Sequence, residues 1–210
     1  MKAKKGVYPL IIGLTGSLGM GKSFTARMLK KLKIPVFESD HEVHTLLQHN
    51  KTVQDHIQRQ FPRAVQTGVI DRVLLAEIVF KDPERLKQLE AIIHPFVFTA
   101  IETFIEKEAQ KQQKLVILDI PLLFEVGYHL KCDEIIVVWS DERVRKERLL
   151  KRPGFKEEYY NDIVAQQMKD EEKKKRADFI LETTFGKVHT FKQLLIILKA
   201  ICQKHGLINA

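Results

Sequence analysis

The chain has 210 residues and a formal net charge of +8, from 35 Lys and Arg against 27 Asp and Glu. Hydrophobic residues at 44% and charged residues at 30% exclude a disordered chain, a collagen and a membrane bundle, and suit one soluble domain that buries a core without disulfides or a structural metal. The positive balance points to polyanionic partners, whether nucleic acid, an anionic membrane or phosphorylated small molecules, and does not choose among them.

Met1-Lys2-Ala3-Lys4-Lys5 is basic, but the apolar run after it is short and leads straight into glycines without a cleavage-like end, so no signal peptide is expected. Leu10–Thr15 reads as a first strand. Gly16-Ser17-Leu18-Gly19-Met20-Gly21-Lys22-Ser23 follows, a G-x-x-x-x-G-K-S run between a strand and the helix predicted over Lys22–Lys33. This is the P-loop pattern. Glycines let backbone N–H groups turn inward around phosphate oxygens, and the helix N-terminus adds its positive end. Lys22 is placed to reach the β- and γ-phosphates and Ser23 to ligate Mg²⁺.

Val36-Phe37 after Pro35 reads as a second strand, followed by Glu38-Ser39-Asp40. Ligands of parallel sheets bind beyond the carboxyl ends of the strands. Asp40 can therefore accept a proton from an attacking hydroxyl, or simply cap a helix beginning at His41. About 75 residues then separate this strand from the next. They read as almost entirely helical, which predicts an inserted lobe. Asp71 is placed to cap a helix through Phe80, a second runs Pro83–His94, and a third runs Phe96–Lys111 beyond Pro95. His94 at the end of its helix is either structural or a ligand-facing group.

Leu115-Val116-Ile117-Leu118 is a continuous apolar run ending in Asp119, the pattern of a Walker B strand whose acid holds Mg²⁺. Many buried strands also end in Asp. Ile135–Trp139 is a fourth strand and Phe179-Ile180-Leu181 a weaker fifth. Continuous apolar strands alternating with helices predict a parallel sheet and an α/β fold. Asp141–Arg176 is highly charged, with 12 Lys or Arg against 9 Asp or Glu. Within it Arg148 and Arg152, at i and i+4, can clamp phosphates or line a solvated face, and Lys173-Lys174-Lys175-Arg176 reads as solvated. A stripe of Phe191, Leu194, Leu195, Leu198, Ala200 and Ile201 predicts the buried face of a last helix that stops near Gly206. No run approaches the roughly 20 apolar residues of a membrane-spanning helix. Cys132 and Cys202 form no CxxC or zinc pattern and are expected as reduced, partly buried thiols of a cytoplasmic protein.

Taken in order, these segments resemble the dephospho-coenzyme A kinase family from about Ile11 to Asp178. The likeness rests on the P-loop, on Asp40, and on Asp71-Arg72 with Val79-Phe80. It continues through Leu89-Glu90-Ala91-Ile92-Ile93-His94-Pro95, Asp119-Ile120-Pro121-Leu122-Leu123-Phe124-Glu125, Arg148, Arg152, Gln167 and Ala177-Asp178. The His-Pro and Pro-Leu-Leu-Phe-Glu segments make it specific, because a nucleoside or nucleotide kinase would share the P-loop and arginines but not these.

The resemblance implies a P-loop kinase with a five-stranded parallel sheet flanked by helices (core about 7–40, 114–140 and 177–208), a helical substrate lobe (about 41–113) and a helical lid (about 141–176). It implies ATP-dependent phosphorylation of the ribose 3′-hydroxyl of dephospho-coenzyme A, with ATP and Mg²⁺, and no nucleic-acid or membrane partner. The implied ATP-binding set is Gly16, Leu18, Gly19, Met20, Gly21, Lys22, Ser23, Phe24, Arg148 and Arg152. Asp40, Lys22 and Arg148 are the catalytic residues, and Ser23 and Asp119 the metal ligands. Asp40, Arg72, His94, Phe124 and Glu125 would hold the acceptor. Three positions depart from the family pattern: Glu38 for the first Asp of Asp-x-Asp, Ile163 for an Arg, and Thr183 for an Asn. A basic nucleic-acid-binding protein with a relic P-loop would need a recognition motif, and no RRM, KH or zinc-finger pattern is present.

Overall fold

A computed structural model describes residues 8–151 and 167–207. The chain divides into two compact units, Glu38–Phe104 and the remainder.

The larger unit is built on a five-stranded parallel sheet of β1 (Leu10–Thr15), β2 (Val36–Glu38), β5 (Leu115–Asp119), β6 (Glu134–Trp139) and β7 (Phe179–Glu182), in the order β2-β5-β1-β6-β7. β1 lies at the centre, with Leu14 level with Asp119 of β5 and with Ile136 of β6. The apolar strands bury both faces, as the continuous runs predict. Ile12, Leu14, Ile117, Ile136 and Val138 pack with Ala26, Met28 and Leu29 of α1 (Lys22–Lys31) and with α8 (Lys187–Lys204). α8 turns a face that the stripe only half anticipates. Leu194, Ile197, Leu198 and Ile201 are buried, while Phe191 and Leu195 stay 36% and 41% exposed. The burying face is therefore rotated from Phe191 and Leu195 toward Ile197. α6 (Glu142–Leu150) and α7 (Asp170–Arg176) lie between β6 and β7 in the chain. Cys132 and Cys202 are free and partly buried, and burial pushes the Cys132 thiol up to about 12.

The smaller unit contains α2 (Ser39–His49), α3 (Lys51–Gln60), a two-stranded hairpin of β3 (Val65–Gln66) and β4 (Val69–Ile70), α4 (Arg72–Phe80) and most of α5 (Pro83–Gln110). Asn50 caps α3 by accepting the Val53 N–H, and Asp71 caps α4 by accepting from Val73 and Leu74. The expectation of an almost entirely helical insertion misses the hairpin. Thr67 and Gly68, both at positive φ, turn its two residues per strand. Two further expectations are corrected. Pro95 does not separate two helices. α5 runs through it, because Ile93, Val97 and Ile101 at four-residue spacing are buried on one face and offset the one missing backbone bond. His94 is therefore mid-helix and caps nothing. The helix after β2 begins at Ser39 rather than His41, so Asp40 sits in its first turn and is not its cap.

At the amino end of β6, the buried Glu134 carboxylate accepts from Lys204 Nζ and His205 Nε2, each at 2.6 Å, at the end of α8. Burial opposes its ionisation, yet the Lys204 and His205 bonds prevail and hold it below its ordinary value. A depressed carboxyl stabilises the fold above its unfolded pKa, and that contribution is lost as pH falls through the folded value. Glu134→Gln should therefore cost about 1 kcal/mol at pH 7, roughly 3 °C in Tm. The deficit should shrink as pH falls below the ordinary glutamate value of about 4.3 and close once Glu134 is protonated in the fold, which thermal melts of both proteins across a falling pH series would check.

Candidate active site

The P-loop joins β1 to α1. A Cβ on Gly16 would stand 2.5 Å from the Val138 carbonyl oxygen, so the loop passes β6 too closely for any side chain. Gly21 caps α1 in the left-handed region at φ 98°, and its carbonyl accepts from Phe24 and Thr25 at 3.0 and 3.1 Å. Thr15 Oγ1 donates to the Pro121 carbonyl at 2.9 Å and ties β1 to the chain just beyond Asp119. Lys22 Nζ meets Asp119 Oδ1 at 2.5 Å. The P-loop lysine and the acid closing the neighbouring strand are thus brought together, as their separate motifs predict.

Ser23 is exposed on the first turn of α1, and Asp119 offers a buried carboxylate. Hydroxyl and carboxylate oxygens are hard donors that suit Mg²⁺, which usually keeps its waters and binds one or two carboxylates together with substrate phosphates. No group of three or more His, Cys, Asp or Glu that could cage a metal exists among the described residues.

Arg148 is not on a solvated face. Its Nη1 donates to Thr183 Oγ1 at 2.8 Å and its Nη2 to the Thr183 carbonyl at 2.7 Å. Thr183 Oγ1 in turn donates to the Met20 carbonyl at 2.7 Å. A Cβ on Gly21 would stand 3.3 Å from Arg148 Nη1, so the guanidinium borders the P-loop. Burial lowers its pKa. Thr183 thereby bridges the loop to the arginine. Arg152 and Ile163 lie outside the described residues.

Sequence reasoning missed Arg145. It is 4% exposed, and its Nε donates to the Leu18 carbonyl at 2.9 Å while Nη1 reaches Asp170 Oδ2 at 3.2 Å. Gln167 Oε1 accepts the Leu18 N–H at 3.3 Å. The expectation that Lys173–Arg176 is solvated fails for Lys173, which is fully buried, with Nζ 3.0 Å from Glu125 Oε1. Nζ has no directed hydrogen bond, so the contact is an ion pair. Lys174 lies 3.7 Å over the Trp139 ring. Glu125 also accepts the Met168 N–H at 2.7 Å, and Phe124 is buried with its ring 5.3 Å from that of His129. Lys173→Met leaves the Glu125 charge without its cation. It should cost about 3 kcal/mol, roughly 6–12 °C in Tm, measured by calorimetry. A shift under one degree would mean that the pair contributes nothing.

In the smaller unit, Asp40 is the exposed second residue of α2. Arg72 opens α4 and its Nη1 bonds His44 Nδ1. A guanidinium only donates, so Arg72 is the donor of this pair. His94 stacks on Phe98 at 5.6 Å. Burial lowers its pKa, against the opposing charge of Glu90, so the ring is neutral at pH 7.

The family model described as dephospho-CoA kinase matches residues 10–187. The chain is 42% identical over 189 residues to the dephospho-CoA kinase of Bartonella quintana, covering 90% of this chain and 96% of that one. It is 38% identical to that of Agrobacterium fabrum over 94% of this chain and 98% of the relative. Among solved structures, protein TT1252 of Thermus thermophilus superposes with TM-score 0.81 at 37% identity, over 92% and 97% of the two chains. Dephospho-CoA kinase from Campylobacter jejuni, at TM-score 0.60 and 23% identity over 91% and 96%, shares the fold.

Proposed function

The chain belongs to the dephospho-CoA kinase family, and on that footing we propose that it transfers the γ-phosphoryl group of ATP to the ribose 3′-hydroxyl of dephospho-CoA, giving CoA and ADP. The observation that carries this reading is the 2.5 Å pairing of Lys22 with Asp119 beside a P-loop that opens α1. Backbone N–H groups of Gly16–Ser23 bind the phosphates, with Leu18, Gly19, Met20 and Phe24 shaping the loop. Lys22 neutralises charge on the β- and γ-phosphates. Arg148 supplies a second cation beside Gly21, and Arg152 is assigned to the same phosphates. Ser23 and Asp119 would hold Mg²⁺, which when bound neutralises charge on the transferring group.

Asp40 takes the proton that the attacking hydroxyl loses as its oxygen bonds to phosphorus and the bond to the ADP oxygen breaks. Arg72 binds an anionic group of the acceptor, His94 acts as a neutral hydrogen-bonding ring, and Phe124 and Glu125 shape the acceptor side. The described helices include none long and apolar enough to cross a membrane, and the free thiols fit a cytoplasmic enzyme. The test is coupled ADP release with dephospho-CoA, adenosine, AMP or phosphopantetheine as acceptor. Turnover with dephospho-CoA above the other three is expected, and preference for another acceptor would overturn the reading.

A further inference from the structure

α7 stands in a run, Lys169 to Arg176, that by composition is a solvated charge cluster, yet Lys173 is buried and Asp170 bonds residues of other segments. Asp170 and Lys173, three residues apart, share one helix face. Asp170 Oδ1 accepts the Ser17 hydroxyl of the P-loop at 2.5 Å, and its Oδ2 accepts Arg145 Nη1 at 3.2 Å. Arg145 Nε holds the Leu18 carbonyl, and Gln167, just before α7, holds the Leu18 N–H. The Ser17-Leu18 turn is therefore fixed at a hydroxyl, an amide and a carbonyl by side chains from α6 and from the segment opening α7. Lys173, buried against Glu125, anchors the other end of the same helical turn to the chain that follows β5.

We propose that α7 braces the phosphate cradle. Asp170 is a positioning residue that sets the P-loop through Ser17 and Arg145, and Lys173 keeps α7 seated so that it can do so. The inference rests on the ATP-binding half of the function proposed above. A phosphate nest works when its donors are already aimed, because reorientation then costs nothing at the moment of binding or transfer. A carboxylate beside an anion site is otherwise unfavourable, since its charge opposes the phosphates. Arg145, paired to the same carboxylate, offsets that charge. Positioning and charge consequently predict opposite signs. If only charge matters, removing the Asp170 carboxylate tightens ATP binding. If the hydrogen bond to Ser17 presets the loop, its removal weakens ATP binding, while asparagine, which still offers Oδ1 to the hydroxyl but loses the acceptor for Arg145, preserves part of it.

The experiment is calorimetric titration of the full-length chain with ATP and Mg²⁺, alongside Tm and steady-state kinetics with dephospho-CoA. Asp170→Ala is expected to raise the Kd for ATP on the order of tenfold, the size of one charge-assisted hydrogen bond. Its KM for dephospho-CoA should be unchanged, and Asp170→Asn should weaken ATP binding clearly less than Asp170→Ala does. ATP binding as tight as wild type or tighter in Asp170→Ala, or equal weakening in Asp170→Asn, overturns the proposal. A wild type that binds ATP and shows this pattern without turning over dephospho-CoA would overturn the acceptor assignment and leave the brace standing. A wild type that binds no ATP would overturn both.

Discussion

Asp40→Asn is expected to lower kcat by on the order of 10²–10⁴-fold, the range for loss of a general base, while the Kd for ATP changes less than about twofold. A ribose hydroxyl is a weak acid, and its oxygen cannot complete the new bond to phosphorus while it keeps its proton. The transition state of phosphoryl transfer is loose, so the acceptor of that proton acts as much by aiming the hydroxyl as by removing the proton early. Asparagine keeps the shape and a weak acceptor and removes the charge, which separates the two contributions from simple loss of volume. Asp40 is free for this work, because the helix that follows β2 begins one residue before it and the carboxylate is exposed rather than spent on a cap. Glu38, the last residue of β2, lies two residues before Asp40, and Glu38→Gln is the control. A crippled Glu38→Gln beside an active Asp40→Asn would transfer the role to Glu38 and overturn the assignment.

What could be read from the chain alone was whatever carries its reason locally. The P-loop needs glycines at fixed spacing, and Asp119 ends a run that only a buried strand explains, so both were legible and meet in the fold at Lys22. Asp71 was legible as a cap because a cap is decided by the next three residues. The hairpin of Val65–Ile70 was not, because two residues per strand give no alternation to detect. Pro95 was misread because a local rule, the missing N–H, lost to burial of Ile93, Val97 and Ile101 along 12 Å of helix (about 1.5 Å per residue).

Arg145, Lys173 and Thr183 were illegible for a different reason. A polar or charged side chain shows no role until its partner is known, and those partners lie far off in sequence at Leu18, Glu125 and Met20. Thr183 is the clearest instance. Its hydroxyl joins the Met20 carbonyl to Arg148, two bonds that a threonine hydroxyl makes by donating once and accepting once.

Lys22→Met is expected to lower kcat on the order of 10²–10³-fold, the loss found when one preorganised donor to developing charge is removed. Methionine keeps most of the side-chain length and removes only the ammonium. Lys22 now sits on Asp119 Oδ1 with both side chains largely buried, 13% and 5% exposed. An ammonium has three donors, so it can keep Asp119 on one and present others to phosphate oxygens. In the proposed reaction its charge thus serves the acid of β5 before ATP arrives and the β- and γ-phosphates afterwards. Two consequences separate this role from a purely structural one. Lys22→Met should lose kcat by far more than it raises the KM for ATP, because charge on the phosphate oxygens is stabilised most in the transition state. Lys22→Arg should fail to rescue, since a planar fork cannot replace a compact three-donor charge in a site fitted to it. Single-turnover measurements at saturating ATP read the chemical step directly. A folded Lys22→Met variant with near wild-type single-turnover rate, or full rescue by arginine, would mean that Lys22 only neutralises Asp119 and that the phosphates are held by the backbone cradle alone.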